Sequence, residues 1–573
     1  MNRADAAQYL AFLVLVTVAT KPLGGYVHRV FTRQRTFLDP VCLPFERLIA
    51  GLCRIDSADE MTAPRYIGCF FIFGGLAALL VYLILRSQQF LPWFFPAYQT
   101  TAMSPDLAFN TALSFTTTTT WQAYAGENTM SYFSQMAALT TGNFLGGASG
   151  LAIGIAFMRG FTRERSDGLG NFWGDVIRAM LWILLPGAIV GAVLLVWQGV
   201  PMNFNGYTLA TSLEHQAQVI AQGPVAALEI IKNLGTNGGG FFNANGAHPF
   251  ANPTPLTNFL GMLAIVLVPA ALTNTFGRMA GQPRQGWMLY AAMVVLFVAG
   301  IGAVHWPETN EGAHRRLGST AQGPMVAGGN MEGKEARFGV GGSTLTAVVT
   351  SNTATGSYNA MADSFTALGG GVLLLNMMLG EIVFGGLGTG ISSLVMAALV
   401  VVFVAGLMVG RTPEYLGKRI GPRETKLIMF YALIMPATVT LLAGVAISTT
   451  AGLSGLTANH GPHGLTTILV AYASSFANNG LSFAGLNANT VFYNGTTAVA
   501  MMLGRYLLTI PALLLAGQLA AQRRTQSTAG TLPTDSFLFL AMLVGMVLIF
   551  AGLSYLPALT LGPIAEHVLR FSR

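Results

Sequence analysis

Leu234-Gly-Thr-Asn-Gly-Gly-Gly-Phe-Phe-Asn-Ala-Asn245 is a glycine-rich stretch that separates two long apolar segments of the chain. Three successive glycines do not fit a lipid-facing helix, because each glycine lowers helix stability and the turn leaves backbone carbonyls unpaired. At membrane depth, such backbone is tolerated only where it is buried in protein or faces a cavity. Cation filters use unpaired carbonyls in place of hydration water. We therefore interpret this stretch as one quarter of an ion filter.

The composition indicates a polytopic membrane protein. Of the 573 residues, 53% are hydrophobic and only 9% are charged, which is too apolar for a soluble protein. The formal net charge of +7 is scattered over short loops and is not gathered on one face. This distribution argues against a nucleic-acid partner.

Windows of about 20 apolar residues mark membrane spans. The long window 368–409 carries Gly385-Gly-Leu-Gly-Thr-Gly390 in its middle, so we interpret it as one broken span. The glycines there indicate either a gate that unwinds or close helix packing. The prediction is an all-α fold of about ten transmembrane helices, in windows 6–27, 66–85, 133–157, 173–197, 256–276, 287–304, 368–409, 427–446, 497–519 and 537–556.

Lys and Arg in short loops predict the orientation, because such loops stay in the cytoplasm. They gather in the alternate loops 29–35, 159–165, 278–284, 411–426 and 523–524. Both termini and the triple-glycine loop are then exterior. The exterior insertion 306–342 carries four acids and four bases, and we expect a neutral surface loop without chemistry.

Four exterior loops repeat at a nearly constant period. If Thr120, Gly238, Gly356 and Gly480 are equivalent, they are spaced by 118, 118 and 124 residues. This period predicts a repeated unit of span, pore helix, filter loop and span. Four half-membrane loops surround a dehydrated cation with oxygens, and each pore helix points its negative C-terminal end at it. The alternative is four ordinary polar loops in an apolar protein.

Several longer motifs resemble one family over nearly the whole chain. They are Leu234 to Asn245 with His248-Pro-Phe250, Asp363-Ser-Phe-Thr-Ala-Leu-Gly-Gly370, Gly410-Arg-Thr-Pro-Glu-Tyr-Leu-Gly417 and Ala477-Asn-Asn-Gly480. They resemble the potassium-binding and translocating subunit of bacterial Kdp-type potassium-transporting ATPases. The resemblance implies repeats at 60–160, 172–278, 285–411 and 424–522, with one extra helix at each end, in 1–30 and 535–573.

The resemblance also implies a high-affinity potassium import complex in the bacterial plasma (inner) membrane. This chain would select the ion, while a P-type ATPase subunit would hydrolyse ATP with Mg²⁺. A single-span subunit, together with a small membrane subunit, would complete the complex within the membrane lipid. K⁺ is then the substrate ion, and this chain needs no cofactor. It carries neither a G-x-x-x-x-G-K-[ST] phosphate loop nor an Asp-Lys-Thr-Gly phosphorylation motif, so we expect no ATP-hydrolysing site on it.

The family's filter maps onto residues of all four loops. Thr118 and Thr120 stand where the family has asparagines, and Thr355 replaces a cysteine. Backbone carbonyls survive these changes, so only fine selectivity is affected. The filter residues implied are Thr118, Thr119, Thr120, Thr236, Asn237, Gly238, Thr355, Gly356, Asn478, Asn479 and Gly480.

Glu381 and Arg505 are charged residues deep within apolar spans, where a charge costs several kcal/mol unless it is paired or hydrated. We expect them at the inner end of the ion path, with Arg505 repelling uncommitted cations and Glu381 offsetting its charge. The resemblance implies the vestibule below the filter. The alternative is that each side chain snorkels to an interface. Gln122, directly after the first filter loop, either joins this ion path or supports the filter from behind.

Two rival functions remain open. One is a potassium channel or secondary transporter that is not coupled to ATP, working alone or with a cytosolic gating ring. The other is a membrane scaffold without transport, in which the glycines only pack helices. A proton-coupled transporter normally needs a chain of ionisable residues through its spans. A membrane scaffold does not explain why the four polar loops recur at a nearly constant spacing.

Overall fold

The computed structural model describes residues 3–56, 59–91, 102–310, 329–410, 413–525 and 532–571. Ten of its helices are long and apolar enough to cross a membrane, and all ten predicted windows fall on a described helix. The predicted all-α membrane fold is confirmed. The spans are Arg3–Phe31, Ala63–Phe90, Ser134–Thr162, Phe172–Trp197, Pro255–Met279, Pro283–Asn310, Thr389–Met408, Pro422–Ser448, Val491–Ala521 and Phe537–Leu569.

The individual elements follow this plan, with short π-helical turns inside four of the spans. Two small antiparallel hairpins are formed by β1 with β2 and by β3 with β4. The helices are α1 (Arg3–Phe31), α2 (Asp39–Leu52), α3 (Ala63–Ser87), α4 (Pro105–Thr116), α5 (Gly126–Thr129), α6 (Thr141–Thr162), α7 (Phe172–Arg178), α8 (Leu185–Trp197), α9 (Val225–Leu234), α10 (Pro255–Met279), α11 (Pro283–Asn310), α12 (Gly339–Asn352), α13 (Ala367–Met378), α14 (Thr389–Val409), α15 (Pro422–Ser448), α16 (Thr450–Leu453), α17 (Gly461–Phe476), α18 (Val491–Met502), α19 (Leu508–Ala521), α20 (Phe537–Leu559) and α21 (Ala565–Phe571). The strands are β1 (Thr208–Thr211), β2 (Ala217–Ile220), β3 (Glu414–Tyr415) and β4 (Lys418–Arg419).

A short helix lies between the two spans of each predicted repeat. These short helices are α4, α9, α12 and α17, and nearly all of their residues are buried. The sequence explains the start of α4: the Ser104 hydroxyl accepts a hydrogen bond from the Leu107 amide, and Pro105 occupies the first turn. Outside the repeats, α1 packs along α10, and α20 packs against α11.

The span near Gly385 is broken, as the sequence predicts. Helix α13 ends at Met378, and α14 begins only at Thr389. The turn between them contains left-handed residues, including Gly380 and Gly388. A Cβ atom on Gly154 of α6 would overlap the Cα atom of Gly388. At this position the glycine therefore permits close packing.

The prediction that residues 306–342 form a surface loop is wrong at both ends of this segment. Helix α11 continues to Asn310, and α12 begins at Gly339. Glu308 and Lys334 form a fully buried ion pair with an N–O distance of 2.8 Å. Glu308 also accepts a 2.7 Å hydrogen bond from the Thr366 amide. The two opposite charges compensate each other, so both ends dock into the protein; residues 311–328 lie outside the described part.

Candidate ion-filter site

Each of the four short buried helices ends directly before a polar loop. The helices end at Thr116, Leu234, Asn352 and Phe476. The helix dipole makes each C-terminal end partly negative, which favours a cation beside the loop that follows. The loops 117–122, 235–240, 353–358 and 477–482 are almost completely buried.

The four loops share one backbone conformation. At the first shared position the left-handed residues are Thr118, Thr236, Ala354 and Asn478, with φ of 67°, 49°, 53° and 49°. Two residues later, the left-handed residues are Thr120, Gly238, Gly356 and Gly480, with φ of 50°, 94°, 64° and 87°. Alternation of left- and right-handed residues aligns successive peptide groups, so that the N–H groups face one side and the carbonyls the other.

The second shared position holds the loops against one another in a closed ring. A Cβ atom on Gly238 would overlap the carbonyl oxygen of Thr355. In the same way, Gly356 abuts the carbonyl oxygen of Asn479, and Gly480 abuts that of Thr119. Every loop therefore touches the next, and the fourth touches the first.

Threonine completes the fourth corner of the ring. Thr120 stands where the other three loops have glycine, and its hydroxyl donates a 2.7 Å hydrogen bond to the carbonyl oxygen of Asn237. The carbonyl oxygens that make these four contacts come from the equivalent residue of each loop. These four residues are Thr119, Asn237, Thr355 and Asn479.

Gln122 joins the first loop to the second. Its side-chain amide donates to the Gly240 carbonyl at 3.2 Å and accepts from the Gly240 amide at 2.8 Å. Because both amide groups are used on backbone, Gln122 fits the supporting role that the sequence left open. Its partners lie at the opposite end of the filter loops from those of Arg505.

Asparagine side chains join the remaining loops. Asn245 donates to the Gly356 carbonyl at 3.2 Å, which connects the second and third loops. Asn479 donates to the carbonyl of Thr350 at 2.8 Å, connecting the fourth loop to α12. Asn478 donates to the Thr119 hydroxyl at 2.9 Å.

Arg505 lies beneath the first loop, in the π-helical turn Leu503–Leu507. Its side chain is buried and donates to the Thr118 hydroxyl at 3.3 Å, the Gly146 carbonyl at 2.8 Å and the Ser149 hydroxyl at 3.2 Å. Since the residue is buried and hydrogen-bonded, it does not snorkel to an interface.

Glu381 lies in the turn of the broken span, with φ of 61°, and not inside a helix. Its carboxylate accepts hydrogen bonds from the Thr389 hydroxyl and from the Gly386 amide. Glu381 and Arg505 line the same cavity of about 20 Å³, which has room for one water molecule. No ion pair joins them in the part of the chain that the structure describes.

The same turn touches the second filter loop. The Leu387 amide donates a 2.9 Å hydrogen bond to the Thr236 hydroxyl. The 118–236 side of the loops therefore faces Arg505 and the broken span. The structure thus brings together the predicted filter residues, Glu381 and Arg505, with Gln122 at the other end of the loops.

The family of this chain follows from comparison with known proteins. Residues 10–568 match the family described as potassium-transporting ATPase A subunit. The chain belongs to this family. The resemblance carried by the sequence motifs is confirmed.

Two similar proteins have the name potassium-transporting ATPase potassium-binding subunit. The one from Methylorubrum extorquens is 51% identical over 560 residues, covering 98% of this chain and 96% of the relative. The one from Bradyrhizobium diazoefficiens is 49% identical over 561 residues, covering 98% and 97%. Potassium is the ion that this family transports.

A solved structure shares the fold. The potassium transporter TrkH from Vibrio parahaemolyticus superimposes with a TM-score of 0.51 over 90% of this chain and 98% of its own. The two sequences are 14% identical, so the likeness concerns architecture alone.

Sequence reasoning missed three residues at the site. Ala354 takes the first left-handed position of the third loop, and the 118-residue spacing from Thr236 points to it. Asn245 ends the glycine-rich stretch, and its side chain joins the second and third loops. Lys232, fully buried behind the second loop, donates to Asn245 at 2.6 Å and pairs with Glu229 at 2.7 Å. A charged pair within a short apolar helix is the signal that indicates it.

Proposed function

We propose that this chain is the potassium-selective binding and translocating subunit of an ATP-driven, high-affinity K⁺ import complex. The closed ring of four loops carries the proposal. Four carbonyl oxygens from four loops suit a dehydrated cation on the axis. The filter comprises Thr118, Thr119, Thr120, Thr236, Asn237, Gly238, Thr355, Gly356, Asn478, Asn479 and Gly480, in repeats 60–160, 172–278, 285–411 and 424–522.

The donor set favours a monovalent ion. The loops 117–122, 235–240, 353–358 and 477–482 contain no carboxylate, whereas Ca²⁺ and Mg²⁺ sites normally include carboxylate ligands. The negative ends of α4, α9, α12 and α17 supply partial charge in its place. Neutral oxygens and partial charges hold a monovalent cation without trapping it.

Below the filter, the ion path leads to Glu381 and Arg505. The Arg505 guanidinium repels cations that have not been committed to transport, and the Glu381 carboxylate offsets its charge. The turn 379–388 contacts both the second filter loop and the cavity of these residues. In our proposal, the ion passes from this cavity to a P-type ATPase partner.

The partner supplies the energy. The relatives' names designate one component of a potassium-transporting ATPase. We assign ATP and Mg²⁺ to a separate P-type ATPase subunit. A single-span subunit, together with a small membrane subunit, completes the complex. The complex lies in the bacterial inner membrane and takes K⁺ from the periplasmic side.

Potassium uptake tests this proposal in cells that lack other potassium importers. The chain is expressed with and without its ATPase partner, as wild type and as Gly238→Asp. We expect uptake at micromolar K⁺ that requires the partner and that Gly238→Asp weakens or makes less selective.

Uptake without the partner would instead establish the alternative, a potassium channel or secondary transporter that is not coupled to ATP. Unchanged uptake by Gly238→Asp would remove the filter assignment. Gly444→Ala controls for expression, because Gly444 has open space around it. Alanine is chosen over aspartate at this position because aspartate would introduce a charge into a span.

A further inference from the structure

A groove lies between the ends of α1 and α10 that the positive-inside rule assigns to the cytoplasm. It is open to the outside of the protein and has a volume of about 540 Å³. The proposed ion path does not use it. Its lining includes Lys21, Gly25, His28, Arg29, Gln34 and Arg278.

The groove is cationic without compensation. Its basic side chains are Lys21, Arg29 and Arg278, and no carboxylate belongs to its described lining. The Arg29 Nε donates only to its own helix, to Gly25 O at 3.4 Å. The Arg278 Nε donates to the Asn274 side chain at 2.8 Å. Within the described part of the chain, the terminal nitrogens of both guanidinium groups have no hydrogen-bond acceptor.

A neighbouring cavity provides the contrast. It shares His28 with the groove, but Arg159 and Arg178 in its lining are buried and paired with carboxylates. Arg159 bonds Asp175 at 2.5 Å, and Arg178 bonds Glu46 at 2.9 Å. These two paired arginines are buried, whereas Arg29 and Arg278 are exposed and have no carboxylate in the groove lining. An anion from outside the chain can therefore reach both guanidinium groups.

His28 adds a second polar group without a partner. Its Nδ1 is buried and has no hydrogen-bond partner in the structure. Gly25 lies beside Arg278, where a Cβ atom would stand 3.5 Å from Nη2. The absence of a side chain at Gly25 leaves the guanidinium face open to the groove.

The same face of α1 is apolar above the groove. Leu10, Val14 and Val18 follow each other at four-residue spacing and are 64%, 50% and 66% exposed. Lys21 and Arg29 continue this face, since residues three and four apart lie above one another on a helix. An acyl chain fits the apolar part, and a charged headgroup fits the groove.

Helix α2 marks the level of the membrane surface. It begins at Asp39, five residues after Gln34, and exposes Val41, Phe45, Leu48 and Leu52 at helical spacing. An amphipathic helix of this kind lies in the interface plane with its apolar face towards the acyl chains. The adjoining groove is therefore at the depth of the headgroups.

We infer that this groove binds the phosphate group of an anionic phospholipid in the cytoplasmic leaflet. Basic pockets between helices on the cytoplasmic side recognise anionic headgroups by charge and hydrogen bonding. Lys21 and Arg29 are about 12 Å apart along the helix axis at 1.5 Å per residue. The headgroup phosphate contacts Arg29 and Arg278, and the Lys21 ammonium reaches it from the acyl side.

Native mass spectrometry of the full chain, purified with its ATPase partner, tests this inference. The protein is titrated with phosphatidylglycerol or with phosphatidylcholine, as wild type and as the triple variant Lys21→Gln, Arg29→Gln, Arg278→Gln. We expect the variant to lose affinity for phosphatidylglycerol on the order of 100-fold, because three cations at about 1 kcal/mol each contribute about 3 kcal/mol. Affinity for phosphatidylcholine should not change.

Two further variants separate the site from surface charge and from misfolding. The matched control Arg284→Gln, Arg423→Gln, Lys426→Gln removes three exposed cations from the same side and should retain the lipid. The charge-conserving Lys21→Arg, Arg29→Lys, Arg278→Lys should also retain it. The inference would be overturned if the wild type and the groove triple variant (Lys21→Gln, Arg29→Gln, Arg278→Gln) bound phosphatidylglycerol equally well. It would also be overturned if the groove triple variant and the control triple variant lost phosphatidylglycerol to the same extent. Displacement of the lipid by inorganic phosphate would indicate a free-phosphate site and would also overturn the inference. Absence of lipid from the assembled complex would overturn it as well.

Discussion

The Thr120 hydroxyl donates a 2.7 Å hydrogen bond to the carbonyl oxygen of Asn237, and this bond closes the ring of filter loops at its one corner without glycine. At the other three corners, a glycine backbone abuts the next carbonyl directly. Thr120 must adopt a left-handed conformation to make the contact, with φ of 50°. In our account, the hydroxyl compensates for the strain of a β-branched residue there.

Thr120→Val tests the contribution of this hydroxyl. Valine keeps the shape of the side chain but removes the donor, so the Asn237 carbonyl loses a bond worth about 1 kcal/mol. We expect K⁺ affinity to fall by up to about tenfold and discrimination against Na⁺ to weaken. Ion competition in the uptake assay measures both. Thr120→Ser keeps the donor and should behave like wild type; identical behaviour of the Val and Ser variants would contradict the role of the bond.

Gly238→Ala tests the close approach between the second and third loops. The added methyl would overlap the Thr355 carbonyl and must adopt a φ of 94°. Strain of this kind costs about 1–3 kcal/mol and is relieved by moving the loop. We expect K⁺ affinity to fall by about tenfold or more, measured by uptake. The control Gly444→Ala has no neighbouring atom within 4 Å and should transport normally. Equal K⁺ transport by Gly238→Ala and Gly444→Ala would contradict the need for a close contact between the second and third loops.

Arg505→Gln tests the positive charge beneath the filter. Glutamine removes the charge and the Nη2 group that donates to both the Gly146 carbonyl and the Ser149 hydroxyl. We expect the K⁺ affinity to change. We also expect K⁺ movement without ATP-driven turnover, which is measured as uptake by cells depleted of ATP. Arg505→Lys retains the charge and should preserve coupling in part.

Glu381→Gln tests the carboxylate that accompanies it. The amide still accepts from the Thr389 hydroxyl, so the turn of the broken span should fold. The expected result is a slower transport rate, because Arg505 is then not offset. Wild-type rate and affinity in both Arg505→Gln and Glu381→Gln would refute the proposed ion path.

His463 predicts a pH-dependent stability on the exterior side. Its ring bonds Asp363 at 3.0 Å and Glu566 at 2.8 Å, joining the start of α17 to α21. Hydrogen bonding to Asp363, then to Glu566, raises the pKa of His463 from 6.5 to about 9. Because the pKa is raised on folding, the stabilisation is complete below about pH 6.5 and is lost as the pH rises through about 9.

Thermal unfolding in detergent between about pH 6 and pH 10 measures this effect. The full shift in pKa corresponds to about 3 kcal/mol, and solvent screening of the partly exposed ring lowers this. We expect a contribution of about 1 kcal/mol to disappear from the wild type over this range. His463→Gln lacks the titrating group and should show a flatter profile from a lower starting Tm. Parallel pH profiles for the two proteins would exclude His463 as the source.

The left-handed conformation of the second shared position was predictable from residue type, but that of the first shared position was not. Gly238, Gly356 and Gly480 share a residue type suited to positive φ, so their period is visible in the sequence. The first position holds Thr118 and Ala354 among others, with no shared chemistry. Its conformation is imposed by neighbouring loops, which a local pattern does not contain.

Tertiary contacts also explain why the surface-loop prediction for residues 306–342 was wrong. Glu308 and Lys334 are charged residues in a Gly-rich segment, which is typical of a surface loop. Their burial depends on their meeting across 26 residues, including residues outside the described part. For Arg505, hydropathy correctly indicated burial, but its hydrogen-bond partners Thr118, Gly146 and Ser149 belong to other segments. Glu381 is half-buried, and its partners lie in its own turn or directly after it.

The most direct test of the filter is a crystal structure of the complex grown with Tl⁺ in place of K⁺, followed by anomalous diffraction. The account predicts an anomalous peak on the axis between the carbonyl oxygens of Thr119, Asn237, Thr355 and Asn479. The peak should disappear in Gly238→Asp crystals. Absence of the peak in wild-type crystals, or a Tl⁺ ion bound only away from the four loops, would contradict the central claim.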